Sequence, residues 1–430
     1  MKTARILALT VILFLCGAGS LSAAILDPSE LPSGDTEQSE ALKHLQAGAE
    51  FLQRKALDDA KQAFEKALEA EPDMAMAMLG LAEVALAQGN RASARTWMGN
   101  AVRAAPEDPR ILLAQARLLI MDKNYAEAER VLKKITQVEP NFLEAYTHLG
   151  DLYLNVTRDA GKAAEMYRKA VELDPNHASA HYALGMALTR MGKEQQAVSE
   201  FEKAARLMPK NVLPLIALGE HYYRKNDLDK SLQYFNKALE VSPGNPTLHL
   251  LRGLVHEKKK DLAAMVADLE QAVKGNPELT AAWIRLGMVY QAKGEKEKAR
   301  NAYLHVIERD EKNWVAFNNL AWMAAESGED LDRALRWADK ARLLQPQSHA
   351  VYDTLGWVYR ARKEYPKAIV SLERALKLQP NAVDSHYHLG VTLVDAGRKE
   401  EARRHLKKVI ELAPGSAMAR EAEKALAALH

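Results

Sequence analysis

Thirteen histidines and 57 acidic residues give this 430-residue chain ample material for metal binding or acid–base chemistry, so their spacing decides. His177 and His181 are four apart, the separation that places two zinc ligands on one helical face. No carboxylate or third histidine stands at ligand spacing beside them, and His177 lies in a turn. His386 and His388 are two apart, which points them to different sides of a helix. The chain contains no His-Glu-x-x-His pair, no phosphate-cradling glycine loop closed by Lys-Ser/Thr, and no Gly-x-Ser-x-Gly nucleophile turn. Its acids and bases fall at helix positions that face solvent, where they solvate the surface. The basic run Lys258-Lys259-Lys260 sits at a helix end, where positive charge suits the helix dipole. This reading gives a non-enzyme with no metal site and no cofactor.

The N-terminus carries a separate signal. Lys2 and Arg5 precede the apolar run from Ile6 to Leu15, and small residues ending in Ser22-Ala23-Ala24 follow. Basic, apolar and small residues in that order describe a secretory signal peptide over residues 1–24, too short to span a bilayer comfortably. Leu13-Phe14-Leu15-Cys16 also resembles a lipoprotein cleavage box, although the residue before the cysteine is normally small. Cleavage after Ala24 removes the only cysteine, and with it any disulfide or thiolate chemistry; lipidation at Cys16 would instead anchor the chain to a membrane. Removing Lys2 and Arg5 leaves 57 basic against 57 acidic residues. That balance gives no electrostatic reason to expect nucleic acid as a partner.

The elements that must position any site follow from a repeat. Pro72, Pro106, Pro140, Pro175, Pro209, Pro243, Pro277, Pro346, Pro380 and Pro414 form a ladder with steps of 34 or 35 residues, Glu311 standing in for one missing rung. Eleven units result. With the proline at position 32, position 8 is glycine in eight units, among them Gly48, Gly150, Gly287 and Gly356. A helical glycine costs about 1 kcal/mol relative to alanine, so a ladder of them requires close approach of a neighbouring helix. Position 20 is mostly alanine, as at Ala60 and Ala299, and position 27 likewise, as at Ala67 and Ala375. A large residue at position 24, such as Phe64, Tyr167, Phe201 or Tyr303, falls between them on one helical face. Each unit thus reads as two antiparallel helices, with polar turns such as Gln88-Gly89-Asn90 between them and the proline ending the second.

This pattern resembles the tetratricopeptide repeat (TPR) across residues 41–414. The resemblance implies an all-α, right-handed superhelical solenoid of about eleven helix-turn-helix repeats. Residues 25–40 read as a flexible leader and residues 415–430 as a C-terminal capping helix that covers the last apolar face. Local departures are Met265 at position 20, Glu311 for proline, and bulky Ile135, Val306 and Val409 at position 27. In this family the first helix of each repeat lines the concave surface, which here places Asn318, Asn319 and Trp322, then Asp353, Thr354, Trp357 and Arg360, then Tyr387 and His388 along one groove. Two tryptophans at equivalent positions would stack beside each other among hydrogen-bonding groups, a platform for a peptide or for sugar rings; the bland alternative is one more layer of core between repeats. The strings Asn319-Leu320-Ala321-Trp322, Asp353-Thr354-Leu355-Gly356-Trp357 and Tyr387-His388-Leu389-Gly390 resemble the last repeats of bacterial exopolysaccharide and PEP-CTERM-system TPR proteins. The expectation is an exported scaffold, in the periplasm or at the periplasmic face of the outer membrane, holding protein partners of an envelope assembly. The alternative is direct binding of polysaccharide during export.

Overall fold

A residue that precedes proline is pushed out of the helical region, and this sets the rhythm of the chain. Glu71, before Pro72, adopts φ −139° and ψ 91° and ends its helix. Asp310 takes φ −129° and ψ 83° before Glu311, so the turn survives the missing proline. The computed structural model describes residues 40–429. The signal segment 1–24, Cys16 and all but the last residue of the leader lie outside the described residues. Those residues form twenty-three α-helices and one π-helical turn, with no strand among them.

Two compact units divide between Lys225 and Asn226, in the turn of the sixth repeat. In the first unit the leading helices of successive repeats are Glu40–Gln53, Ala75–Ala87, Pro109–Met121, Leu143–Asp151, Ala178–Arg190 and Leu213–Arg224. In the second they are Pro246–Lys259, Thr280–Ala292, Trp314–Ser327, His349–Ala361 and Val383–Asp395. Within each unit the leading helices pack antiparallel against the helices that follow them, and those of repeats one to three and of repeats nine to eleven also touch their neighbours directly. The final helix, Ala417–Ala427, covers the end of the second unit through buried Ala419 and Ala422.

The position 8 glycines do what their cost demands. A Cβ on Gly48 would lie 2.5 Å from the Phe64 ring, and one on Gly150 2.5 Å from the Tyr167 ring. Gly80 meets Phe64 from the other side, so that ring is clamped between two repeats. Phe64, Tyr167, Phe235 and Tyr303 are among the largest fully buried side chains. Repeat seven departs from the rule consistently. A Cβ on Gly253 would sit 3.4 Å from Leu269, ordinary contact, and Met265 fills the position 20 socket at 4% exposure.

The two 35-residue steps are absorbed differently. In repeat four the extra residue widens the first helix into the π-helical turn Leu152–Thr157, closed by Arg158 in the left-handed region. In repeat nine it lengthens the turn, where Gly328 (φ 73°) and Asp330 (φ 48°) both take left-handed conformations. The histidines weighed as metal ligands have structural tasks. His177 caps a helix by accepting from the Ala180 amide at 3.1 Å. Buried His181 meets Glu200 at 2.5 Å and the Pro175 carbonyl at 3.0 Å. In the basic run, Lys260 takes the left-handed φ of 61° that ends its helix, and Lys259 pairs with Asp229 at 2.5 Å.

Candidate functional site

Residues four apart share one face of a helix, so Asn318 with Trp322 and Asp353 with Trp357 form parallel pairs on adjacent leading helices. The helices Trp314–Ser327, His349–Ala361 and Val383–Asp395 pack side by side. Equivalent positions therefore meet across the stack. Trp322 and Trp357 stack with ring centroids 5.5 Å apart and planes inclined by 14°. His388 tilts against both, 5.1 Å from Trp322 and 4.4 Å from Trp357. Both indoles are half-buried, while His388 is buried at 6% exposure.

The imidazole is fixed by charge from the preceding repeat. His388 Nδ1 donates to Asp353 Oδ2 at 2.8 Å, inside the protein. Asp353 Oδ1 and Asn318 Oδ1 are buried acceptors without a hydrogen-bond partner. Unsatisfied buried acceptors are rare and costly, and these two occupy the same row of the stack. Arg360 lies over the Trp357 ring at 4.6 Å and forms an ion pair with Asp395 at 2.8 Å, without hydrogen-bond alignment at its Nε. Tyr387 approaches His388 edge-on at 5.8 Å.

The usable surface is narrower than the sequence indicated. Thr354 is buried at 3% exposure and faces the packed interior, because the helices on either side close over its position. Asn319 engages the Tyr303 hydroxyl, whose pKa burial pushes up to about 12, and so serves the neighbouring repeat. Asp353 and His388 form a support beneath the indoles. What remains open to a partner is Asn318, Trp322, Trp357, Arg360 and Tyr387, all partly exposed. An Asp–His pair is also the orienting half of a nucleophilic relay. Thr392, the hydroxyl one turn along, donates to the His388 carbonyl at 2.6 Å, so that hydroxyl is committed to the backbone.

The first unit carries a polar counterpart whose burial the sequence did not reveal. At the register held by Trp322 and Trp357, repeats two to four place Glu83, Arg117 and Asp151. Glu83 is 6% exposed, its Oε1 lacks a partner, and burial pushes its pKa up to about 7 against the pull of Arg117. His148 is driven down to about 4 by burial and by Arg117. Asp151 is held up by burial while accepting from the Tyr167 hydroxyl at 2.7 Å. The available signal was three successive charged residues at one repeat position.

Comparison with known proteins places these repeats in a family. Models described as TPR repeat match residues 160–192, 219–260 and 356–397. Models described as tetratricopeptide repeat match 178–211, 280–313 and 383–416. One described as tetratricopeptide repeat protein 21 ARM repeat matches 29–170. TPR repeat-containing protein PA4667 of Pseudomonas aeruginosa is 27% identical over 145 residues, 33% of this chain and 24% of that protein. Protein O-mannosyl-transferase TMTC3 of Homo sapiens is 29% identical over 101 residues, 23% of this chain and 11% of that protein. The chain thus spans a quarter or less of the length of these relatives. Among solved structures, the APC/C hetero-tetramer Cut9-Hcn1 matches with TM-score 0.46 and 15% identity, covering 90% of this chain and 97% of that one. Pseudomonas aeruginosa pilF matches with TM-score 0.44 and 22% identity, covering 52% and 97%. These likenesses are of repeat type and say nothing of partner or substrate. With the position 8 glycines packed on the position 24 rings and family matches reaching from residue 29 to residue 416, the chain belongs to the tetratricopeptide-repeat proteins.

Proposed function

We propose that this chain is an exported scaffold that holds partner proteins of a bacterial envelope assembly, such as a secretion, pilus or polysaccharide export machine. TPR arrays are protein-interaction scaffolds; the compartment, the assembly and the docking surface are what this proposal adds. Export rests on the basic, apolar and small order of residues 1–24. The docking surface is the leading-helix face of repeats nine to eleven. The observation that carries it is the Trp322–Trp357 stack, half-buried and backed by the His388–Asp353 pair. Aromatic anchors held over a hydrogen-bonded pair are where interface energy concentrates, and the unmatched Asp353 Oδ1 and Asn318 Oδ1 offer acceptors beside them. Direct stacking of sugar rings fits less well, because Trp322, His388 and Arg360 already occupy the faces of Trp357.

The test is a crosslinking pull-down from native envelopes, comparing the parent with Trp322→Ala/Trp357→Ala. One set of envelope proteins should disappear while helicity and melting temperature stay close to the parent. An unchanged set with the fold intact would remove this docking surface. Binding of a defined oligosaccharide that fails in Trp357→Ala would replace it with the glycan reading.

A further inference from the structure

Five repeats use the residue at position 4 to bind the proline carbonyl six residues earlier. Tyr146 reaches Pro140 O at 3.0 Å, His181 reaches Pro175 O at 3.0 Å, and His249 reaches Pro243 O at 2.9 Å. Trp283 Nε1 reaches Pro277 O at 2.9 Å and His386 Nε2 reaches Pro380 O at 2.9 Å. A carbonyl only accepts, so each of these imidazoles carries a proton on Nε2.

Where position 4 is histidine, its other nitrogen faces position 23 on the second helix of the same repeat. Glu200 stands 2.5 Å from His181 Nδ1, and Asp268 stands 3.1 Å from His249 Nδ1. With acceptors on both nitrogens, an added proton on either of these rings completes a hydrogen bond. Repeat eleven breaks the rule, because its position 23 is His405. The two Nδ1 atoms meet at 2.9 Å with ring centroids 5.2 Å apart, so both lie on the line between the ring centres. The contact is a straight N–H···N hydrogen bond with one proton in the gap. His386 accepts through its bare Nδ1, and His405 donates.

This pair responds to acid in the opposite sense. One added proton charges a contact that is largely buried, and a second sets two N–H groups head to head, so the contact must open. Burial is the main influence holding both rings below the ordinary histidine pKa. Lys408 adds to it at His386 against the Pro380 carbonyl, while His386 and Arg404 add to it at His405 against Glu401. Glu401 is engaged by Arg398 at 2.6 and 2.7 Å, and Glu373 of the preceding helix Tyr365–Leu378 acts on Arg398. Among the described residues no charged group of His349–Ala361 or of the capping helix Ala417–Ala427 acts on either ring. The unfolded chain binds these protons more readily than the folded one. The stability that the contact contributes is therefore present above the ordinary histidine pKa and is lost as pH falls through the lowered values.

We propose that the His386–His405 contact is a pH-sensitive latch between the two helices of repeat eleven. It is closed at neutral pH and opened by mild acid, which loosens the capped end of the array while the repeats with a carboxylate at position 23 stay shut.

The test is hydrogen exchange on the full chain from about pH 8 to about pH 5, corrected for the intrinsic pH dependence of exchange. Protection in repeat eleven should fall severalfold over that range, with repeat five, latched by His181 and Glu200, as the unchanged internal control. His405→Glu installs the carboxylate that repeats five and seven carry at position 23, and should abolish or reverse the acid dependence. His386→Trp keeps an N–H for the Pro380 carbonyl, as Trp283 does for Pro277, and should make repeat eleven insensitive to pH. It carries the test alone if the first variant fails to fold. Protection of repeat eleven that stays flat in the parent, or that falls equally in repeat five, would overturn the proposal. So would acid dependence that persists in either folded variant.

Discussion

Gly287 stands so close to Tyr303 that a Cβ added there would overlap the ring edge. The ring has little room to yield, since Tyr303 is fully buried and its hydroxyl donates to Gln291 at 3.0 Å. Gly287→Leu should therefore destabilise the fold by about 1–3 kcal/mol or more, the usual cost of overpacking. Gly253→Ala, whose Cβ makes only ordinary contact with Leu269, should stay within about 1 kcal/mol of the parent. Equal denaturant midpoints for the two variants would contradict this packing. Glu83 gives a prediction with a pH sign. Burial pushes its native pKa up to about 7, above the ordinary 4.5 of a glutamate, so the stability it contributes is fully present below pH 4.5 and is lost as pH rises through 7. Glu83→Gln stays neutral throughout. Its stability relative to the parent should rise between pH 4.5 and 7 and level off above, by an amount on the order of 3 kcal/mol. A pH-independent difference in urea titrations would show that Glu83 is solvated. The packing pairs were legible because glycine and a large residue recur sixteen positions apart. The burial of Glu83 was not, because a charged residue at a groove position reads the same whether the neighbouring helix leaves it wet or closes over it.

At the scale of the element, the prolines announced the end of nearly every second helix of a repeat, and Asp310 shows that the turn persists without one. The spacing also located both inserted residues, but it did not say where within the repeat each would go. Gly328 offered a signal for the lengthened turn of repeat nine. The stretch Leu152–Thr157 offered none, since its residues fit an α-helix as readily as a π-helical turn. The groove divides in the same way. The Trp322–Trp357 stack follows from equal register, whereas the burial of Thr354 and the turn of Asn319 toward Tyr303 depend on how tightly adjacent repeats close. If the π-helical turn only accommodates an insertion, deleting exposed Asn155 restores the 34-residue spacing without disturbing the packed faces. The melting temperature should then change little. Deleting Thr147 instead would move Ala145 and Tyr146 out of register with Leu149 and Gly150 on the same helix, and should unfold repeat four. Similar losses in the two deletions, followed by circular dichroism on heating, would mean the π-helical turn itself contributes to stability.

Across the whole molecule, each repeat is stabilised by its neighbours, so stability resembles a sum along the chain and an exposed end frays first. The helix Ala417–Ala427 protects one such end. It joins a core of Ile369, Leu372, Leu389, Leu393, Leu406 and Val409 through Ala422, and Arg403 ties the Leu429 carbonyl at 3.0 Å. Removing residues 415–430 uncovers that core without touching any contact in repeats one to five. Hydrogen exchange should then show protection lost in repeat eleven, partly lost in repeat ten, and unchanged in the first unit. The gradient is the diagnostic result, because the position 8 and position 24 contacts are local to each hairpin and its neighbour. Uniform loss of protection over all eleven repeats would mean that the array opens as one cooperative block. In that case the proposed docking face of repeats nine to eleven could not adjust to a partner independently of the rest. A graded loss would instead let the helices under that face, next to the end of the array, open locally while the first unit keeps its structure.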